Sequence, residues 1–198
     1  LGLAPEWETT VWTPGSGSIR TVERLVLDDL AGAEAAEAAD LLVFPSWPTE
    51  LPPPTDEMVD LVQRAHGRGA QIAGLCLGAF PVAGSGVLEG RTAVTHWAAT
   101  EALMAQYPTV ELRPSALYID HGDVLTSAGT ASAIDACLHI VRAKLGSAAA
   151  ATLARHLVVA PHRDGHQAQF ITRPIPEPQA AGPIGDTIEW ALEHLDED

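Results

Sequence analysis

The residues best placed for chemistry lie at positions 74–78, where Gly74-Leu75-Cys76-Leu77-Gly78 sets one thiol between two glycines. This G-x-C-x-G spacing is the thiol counterpart of the G-x-S-x-G nucleophile elbow, in which flanking glycines give a sharp strand-to-helix turn the room to push its middle residue outward. A sulfur at the first turn of a helix also meets unpaired backbone N–H groups and the positive end of the helix dipole. Both favour thiolate over thiol. A free cysteine more often serves as a small buried hydrophobe, so the elbow reading depends on a strand before Cys76 and a helix after it. Catalysis asks for more: a base within hydrogen-bond reach, and a third group to orient that base. His96, at the end of the next strand, is the candidate neighbour. Its competing role is a strand-end histidine bonded to backbone.

Other residues are expected near the same crevice. In an open parallel sheet, ligands bind beyond the carboxyl ends of the strands. That rule gathers Pro45-Ser46-Trp47, Cys76-Leu77, His96-Trp97 and Gly129-Thr130. Trp47 and Trp97 offer apolar contact to a ligand, or pack at the rim. Asp135 stands in the apolar stretch Ala133–Leu138 and needs a partner if buried; it is read either as a core carboxylate holding a nearby loop or as a supporting group in the pocket wall. His162, Arg163, His166 and Gln167 form a polar cluster, but Gly165 argues against the helix that would put both histidines on one face, and no cysteine or acid completes a set. No metal and no cofactor are expected.

The elements that must carry these residues follow from periodicity. Gln71–Leu75 alternates as a short buried strand, an apolar helical run follows, and Gly90-Arg91 leads into a strand over Thr92–His96. Upstream, Thr9–Thr13 reads as a short strand, residues 18–27 as an extended excursion, and Leu30–Ala39 as a short helix. Leu41–Phe44 is a continuous apolar run suited to a strand buried on both faces. After a proline-punctuated loop, a helix runs from Thr55, its N-cap, to about Gly67–Gly69. Downstream come a helix over about Ala98–Gln106, strands at Val110–Leu112 and Leu117–Asp120, and a hairpin turn at His121-Gly122-Asp123 into Val124–Ser127. A long helix over about Ala131–Lys144 closes at Gly146, and another spans Ser147–Leu157. Strands alternating with helices predict an α/β domain with a parallel sheet covered on both faces. Past Pro161 the character changes: residues 172–183 are proline-rich and aperiodic, a linker signature, while Ile184–Leu195 reads as an amphipathic helix.

Composition excludes several classes. The chain has 198 residues, enough for one sizeable domain, and its formal net charge of −15 repels nucleic-acid phosphates and anionic membranes. Nothing approaches the roughly 20 consecutive apolar residues of a membrane helix, and the opening residues do not read as a signal peptide. Of the two cysteines, Cys137 lies in an apolar helical run and is expected in the core rather than in a disulfide. This points to the cytoplasm.

Three segments, GLCLGAFPVAGSGVLEGRTAVTHW, LYIDHGDVLTSAGTASAIDACLHIVRAKLG and ARHLVVAPHRDGHQAQF, resemble AraC-type transcription regulators of the GlxA kind. Their N-terminal domain belongs to the ThiJ/PfpI group of the class I glutamine amidotransferase-like superfamily, and the resemblance covers roughly residues 40–171. It implies a flavodoxin-like three-layer α/β/α sandwich with a mostly parallel sheet, whose first strand and helix would precede Leu1. It also implies that His96 matches a histidine near the elbow cysteine, and that Asp135 matches an acidic position in the family helix. The H-x-E pair that completes the amidotransferase triad is absent, and Leu77 stands where PfpI-type hydrolases carry a histidine. These departures argue against hydrolysis and leave Cys76 and His96 as candidates only.

The resulting expectation is a sensing and dimerisation domain over residues 1–171, a linker over 172–183, and over 184–198 the start of a helix-turn-helix DNA-binding region that continues beyond. A small-molecule effector would bind near Cys76, with Trp47, Leu77, His96, Trp97, Gly129 and Thr130 around it. The protein would act as a cytoplasmic homodimer, with the helices over 131–157 as the candidate dimer surface. DNA would be met only through the C-terminal region. The alternative is a cysteine-dependent hydrolase or hydratase of the ThiJ/PfpI superfamily.

Overall fold

A computed structural model describes residues 7–166, apart from 16, 22 and 23, together with the isolated positions 187, 190 and 194. At its centre lie β3 (Leu41–Phe44), β4 (Gln71–Leu75), β7 (Tyr118–Asp120) and β8 (Val124–Ser127), in the order β3-β4-β8-β7. The first three run parallel, with Leu41 opposite Gln71 and Ile72 opposite Val124, and β7 pairs antiparallel with β8. Before them come the hairpin β1 (Ile19–Arg20) and β2 (Val26–Leu27), while β5 (Thr92–Ala93) and β6 (Glu111–Leu112) form a separate parallel pair.

Strand alternation divides the core in two. Leu42 and Phe44 of β3, Ile72 of β4 and Val124 of β8 face one side, where α1 (Ala33–Ala38), α2 (Asp56–Gly67), α3 (Ala79–Gly84) and α4 (Thr100–Gln106) pack. The intervening residues Ala73, Leu75 and Leu125 face the other, against Ala136 and Ile140 of α5 (Thr130–Leu145). With apolar residues at consecutive positions, β3, β4 and β8 each supply both faces at once. α6 (Ser147–Leu157) packs on α5, and Gly146, at φ 88°, makes the break between them in a conformation that only glycine adopts without strain. Thr55 caps α2, its hydroxyl accepting from the Met58 N–H at 3.3 Å. This three-layer α/β architecture is the one expected from the sequence.

Several local expectations change. Thr9–Thr13 is not a strand but a single parallel bridge from Trp12 to Ala31. Thr13 N–H and Val11 carbonyl both bond Ala31, and α1 starts two residues later, so no partner chain remains to extend the ladder. Thr92–His96 pairs with β6 only over Thr92–Ala93, and on its other edge the Val94 N–H donates to the Thr126 hydroxyl of β8 at 3.0 Å rather than to a strand carbonyl. The segment after Cys76 opens as a 3-10 turn (Cys76–Gly78) before α3, and Ala98–Gln106 likewise opens with a 3-10 turn at Trp97–Ala99. Cys137, expected in the core, is exposed: with Ile134 it lies on the face of α5 turned away from the sheet. Among the described residues, no helix is long and apolar enough to cross a membrane. The expected linker (172–183) lies outside the described residues, as does most of the 184–198 helix.

Candidate functional site

The elbow is built from backbone contacts. Cys76 itself takes the left-handed conformation, at φ 55°, which costs a non-glycine residue on the order of 1 kcal/mol or more. The two glycines serve a different need. A Cβ on Gly74 would stand 2.7 Å from the Gly78 carbonyl oxygen, and one on Gly78 only 2.0 Å from the Phe44 carbonyl oxygen. They let β3, β4 and the turn touch backbone to backbone, and so hold the strained cysteine at the carboxyl edge of the sheet. The Thr95 hydroxyl donates to the Cys76 carbonyl at 2.9 Å and fastens the turn from the other side.

The thiol is half-buried, and burial pushes it above the ordinary cysteine value; the Leu77 N–H pulls the other way but does not win. Burial thus opposes the bias toward thiolate expected from a helix start. That start is a 3-10 turn of three residues followed by a six-residue helix, which aligns few peptides behind the sulfur.

His96 caps the 3-10 turn at Trp97–Ala99, its Nδ1 accepting from the Ala98 N–H at 3.2 Å. That bond assigns the proton of the neutral ring to Nε2, which makes Nε2 a donor rather than a base. The Nε2 edge lies against Gly129, where a Cβ would be 2.5 Å from Cδ2 and 3.1 Å from Nε2. Among the described residues, no hydrogen bond joins the Cys76 sulfur to His96. The two side chains share a cavity instead. It measures about 290 Å³ and is lined by Thr49, Leu51, Cys76, Leu77, His96, Ala98 and Ala99. The lining is mostly apolar, with a hydroxyl, a thiol and an imidazole as its polar groups, and the volume suits a small ligand.

The remaining expected residues stand around this cavity at different distances. Trp47 does not line it. Its indole N–H donates to the Pro52 carbonyl at 2.7 Å, bracing the loop that presents Thr49 and Leu51. Trp97 is 49% exposed and its ring tilts over that of His96, with centroids 5.6 Å apart. Gly129 backs His96, and Thr130 is the exposed first residue of α5. Asp135 is away from the cavity: buried in α5, it pairs with Arg163 Nη1 at 3.0 Å. Burial raises its carboxyl above the usual range, against the opposing pull of Arg163 and His162. Arg163 thus serves this ion pair, and the Asp164 carboxylate accepts from the His166 N–H at 2.8 Å; among the described residues, no three His, Cys, Asp or Glu side chains converge as metal ligands.

Sequence reasoning missed Thr49, Leu51, Ala98 and Ala99. The available signal was positional, since the loop after β3 and the turn after His96 both leave the carboxyl edge of the sheet. A second cavity, about 430 Å³, lies near Gln63, His66, Ser85 and Arg91, by the start of β8. There Asp123 bonds Arg91 at 2.8 Å and His66 at 2.7 Å, a charge network remote from Cys76.

Known proteins resemble this chain in sequence and in fold. The HTH-type transcriptional regulator CdhR of Pseudomonas aeruginosa is 28% identical over 143 residues, which is 71% of this chain and 42% of that protein. GbdR from the same species is 25% identical over 128 residues, 65% of this chain and 35% of its own length. The chain thus spans less than half the length of these curated relatives. Among solved structures, an AraC family transcriptional regulator from Pseudomonas putida superposes with a TM-score of 0.66 at 23% identity, covering 78% of this chain and 83% of that one. Drosophila melanogaster DJ-1beta gives 0.64 at 21% identity, covering 76% and 82%. These two structures establish the flavodoxin-like fold that they share with this chain. Residues 10–143 match the sequence profile of the DJ-1/PfpI family, and the chain belongs to that family.

Proposed function

We propose that this domain is the effector-sensing and dimerisation part of a cytoplasmic AraC-family transcription regulator. A small molecule occupies the cavity beside Cys76, and a homodimer relays its presence to helix-turn-helix regions that bind DNA. One observation carries this reading: the elbow thiol opens into a mostly apolar cavity whose imidazole, His96, makes no hydrogen bond to it among the described residues. Its sulfur is biased toward the protonated form, and the imidazole beside it already spends Nδ1 on the Ala98 N–H. A cysteine hydrolase or hydratase needs a thiolate or a free base at that place. The regulator names of CdhR and GbdR support the same reading, and their greater length leaves room for a separate DNA-binding part.

DNA recognition is assigned to the region that begins within 184–198 and continues beyond it. The 198-residue chain, at a net charge of −15, is therefore expected to give no mobility shift with duplex DNA. Tight, salt-sensitive binding by this chain alone would overturn the assignment. In the complete gene, Ala98→Phe fills the cavity and is expected to abolish effector-dependent reporter induction while operator binding persists. Undiminished induction would remove the cavity from the mechanism.

A further inference from the structure

Residues 161–166 form neither helix nor strand, yet the domain holds them at four points. The Arg142 guanidinium donates to the Pro161 carbonyl at 2.6 Å. The Tyr118 hydroxyl donates to the Arg163 carbonyl at 3.1 Å, and the Leu117 N–H to the Gly165 carbonyl at 2.6 Å. The fourth point is the ion pair from Arg163 to Asp135. Connecting segments are ordinarily the loosest parts of a fold. This one is tied to both β7 and α5.

Two of its residues are specialised for the crossing. Gly165 passes so close to β7 that a Cβ there would lie 2.5 Å from the Tyr118 carbonyl oxygen and 2.9 Å from its ring. Asp135 has a side chain only 6% exposed, whereas that of Arg163 is 37% exposed. A buried carboxylate without a counter-charge is costly, so α5 carries a fixed anion that is satisfied when Arg163 lies over it. The pair is asymmetric: its anion belongs to α5, and its cation to the irregular segment that crosses it.

We propose that residues 161–166 are a strap, latched by the Asp135–Arg163 ion pair, that closes over β7 and α5 and fixes the point from which the chain runs on toward residues 172–183. Opening the strap frees six residues and lengthens the reach of whatever follows by about 20 Å, at roughly 3.4 Å per extended residue. The strap does not depend on the regulator reading. It would set the geometry of any segment attached beyond it.

Amide hydrogen exchange of the 198-residue chain tests this, because the Leu117 amide is bonded to the strap itself. Gly165→Ala and Asp135→Asn are each expected to speed Leu117 exchange at least tenfold. The Ile72 amide, bonded to the Asp123 carbonyl in the central sheet, should keep its wild-type rate. Arg163→Lys preserves the positive charge and should leave Leu117 within threefold of wild type. Wild-type exchange at Leu117 in both of the first two variants overturns the strap. So does equal acceleration at Leu117 and Ile72 in both, which would make residues 161–166 one cooperative unit with the sheet.

Discussion

Gly78→Ala probes the elbow where its geometry is least forgiving. The added methyl carbon would lie 2.0 Å from the Phe44 carbonyl oxygen, 2.8 Å from the carbonyl carbon and 3.1 Å from the Phe44 Cβ. Real Cβ contacts of this kind need a little over 3 Å, so backbone must part from backbone by about 1 Å. A flexible side chain could swing away, but Phe44 ends a strand paired in register with β4 and is itself buried. Overpacking of this kind costs about 1–3 kcal/mol, and a clash with backbone belongs at or above the top of that range. Replacing glycine returns about 0.5–1 kcal/mol through reduced freedom of the unfolded chain. The net expectation is a loss of about 2 kcal/mol or more. Gly67→Ala is the matched control, because nothing lies within 4 Å of its Cβ position and it closes α2; it should be neutral or stabilising by up to about 1 kcal/mol. Urea unfolding followed by circular dichroism measures both, and a domain of this size should lose about 4–8 °C of Tm in the Gly78 variant. A Gly78→Ala protein within 0.5 kcal/mol of wild type would refute the claim that the elbow glycines exist for backbone contact.

Two further predictions concern titration. The alkylation rate of Cys76 by iodoacetamide, followed by mass spectrometry in a Cys137→Ser background, should reach half its maximum at a higher pH than a free-cysteine peptide, since burial disfavours the thiolate. A midpoint below the peptide's would revive the enzyme reading. Asp123 is held well below the usual carboxylate range, chiefly by its bonds from Arg91 and then by His66. A depressed native value means that stability is fully present above the ordinary carboxyl range and is lost as pH falls toward the depressed value. Because the side chain is still 40% exposed and screened by solvent, the contribution is no more than about 1 kcal/mol. Denaturation midpoints between pH 6 and 2 should therefore fall less steeply in Asp123→Asn, and parallel curves would show that the network contributes nothing.

The central sheet was legible because its strands are apolar at consecutive positions and end in recognisable turns. Leu41–Phe44, Gln71–Leu75 and Val124–Ser127 all stand where the sequence placed them, and Gly146 divides the last two helices as expected. The end of β5 was not legible, since nothing local reveals that β6 stops at Leu112 or that the Val94 N–H on the opposite edge meets a threonine hydroxyl 32 residues away. The outward turn of Cys137 escaped for a related reason. An alanine-rich helix carries too weak a periodicity to show which side faces the sheet. At the site, the spacing of glycine and cysteine disclosed the elbow but not its logic: the left-handed residue is Cys76, and its glycines answer to contacts with Phe44 and Gly78. Thr49 and Leu51 reach the cavity through a proline-rich loop whose path is set by the Trp47–Pro52 bond.

α5 joins the cavity to the proposed strap. Its N-cap, Gly129, lies behind the His96 ring with no room for a Cβ between them, and its second turn carries Asp135, the anchor of the proposed strap. A helix of sixteen residues, close to 24 Å long at 1.5 Å per residue, shifts as a body more readily than it bends. A group that fills the cavity and pushes the imidazole is expected to press on Gly129 and, through the helix, to shift the carboxylate that holds Arg163. Carbamidomethylation of Cys76, again with Cys137→Ser, places such a group there. Gly129→Ala applies the same push from the opposite side. Couplings between sites are commonly 1–3 kcal/mol, or about 5–150-fold in an equilibrium. Both perturbations are accordingly expected to change the exchange rate of the Leu117 amide at least fivefold, with Ile72 as the internal reference. If both leave Leu117 unchanged while Asp135→Asn releases it, the strap is real but uncoupled from the cavity, and α5 is not the link between them.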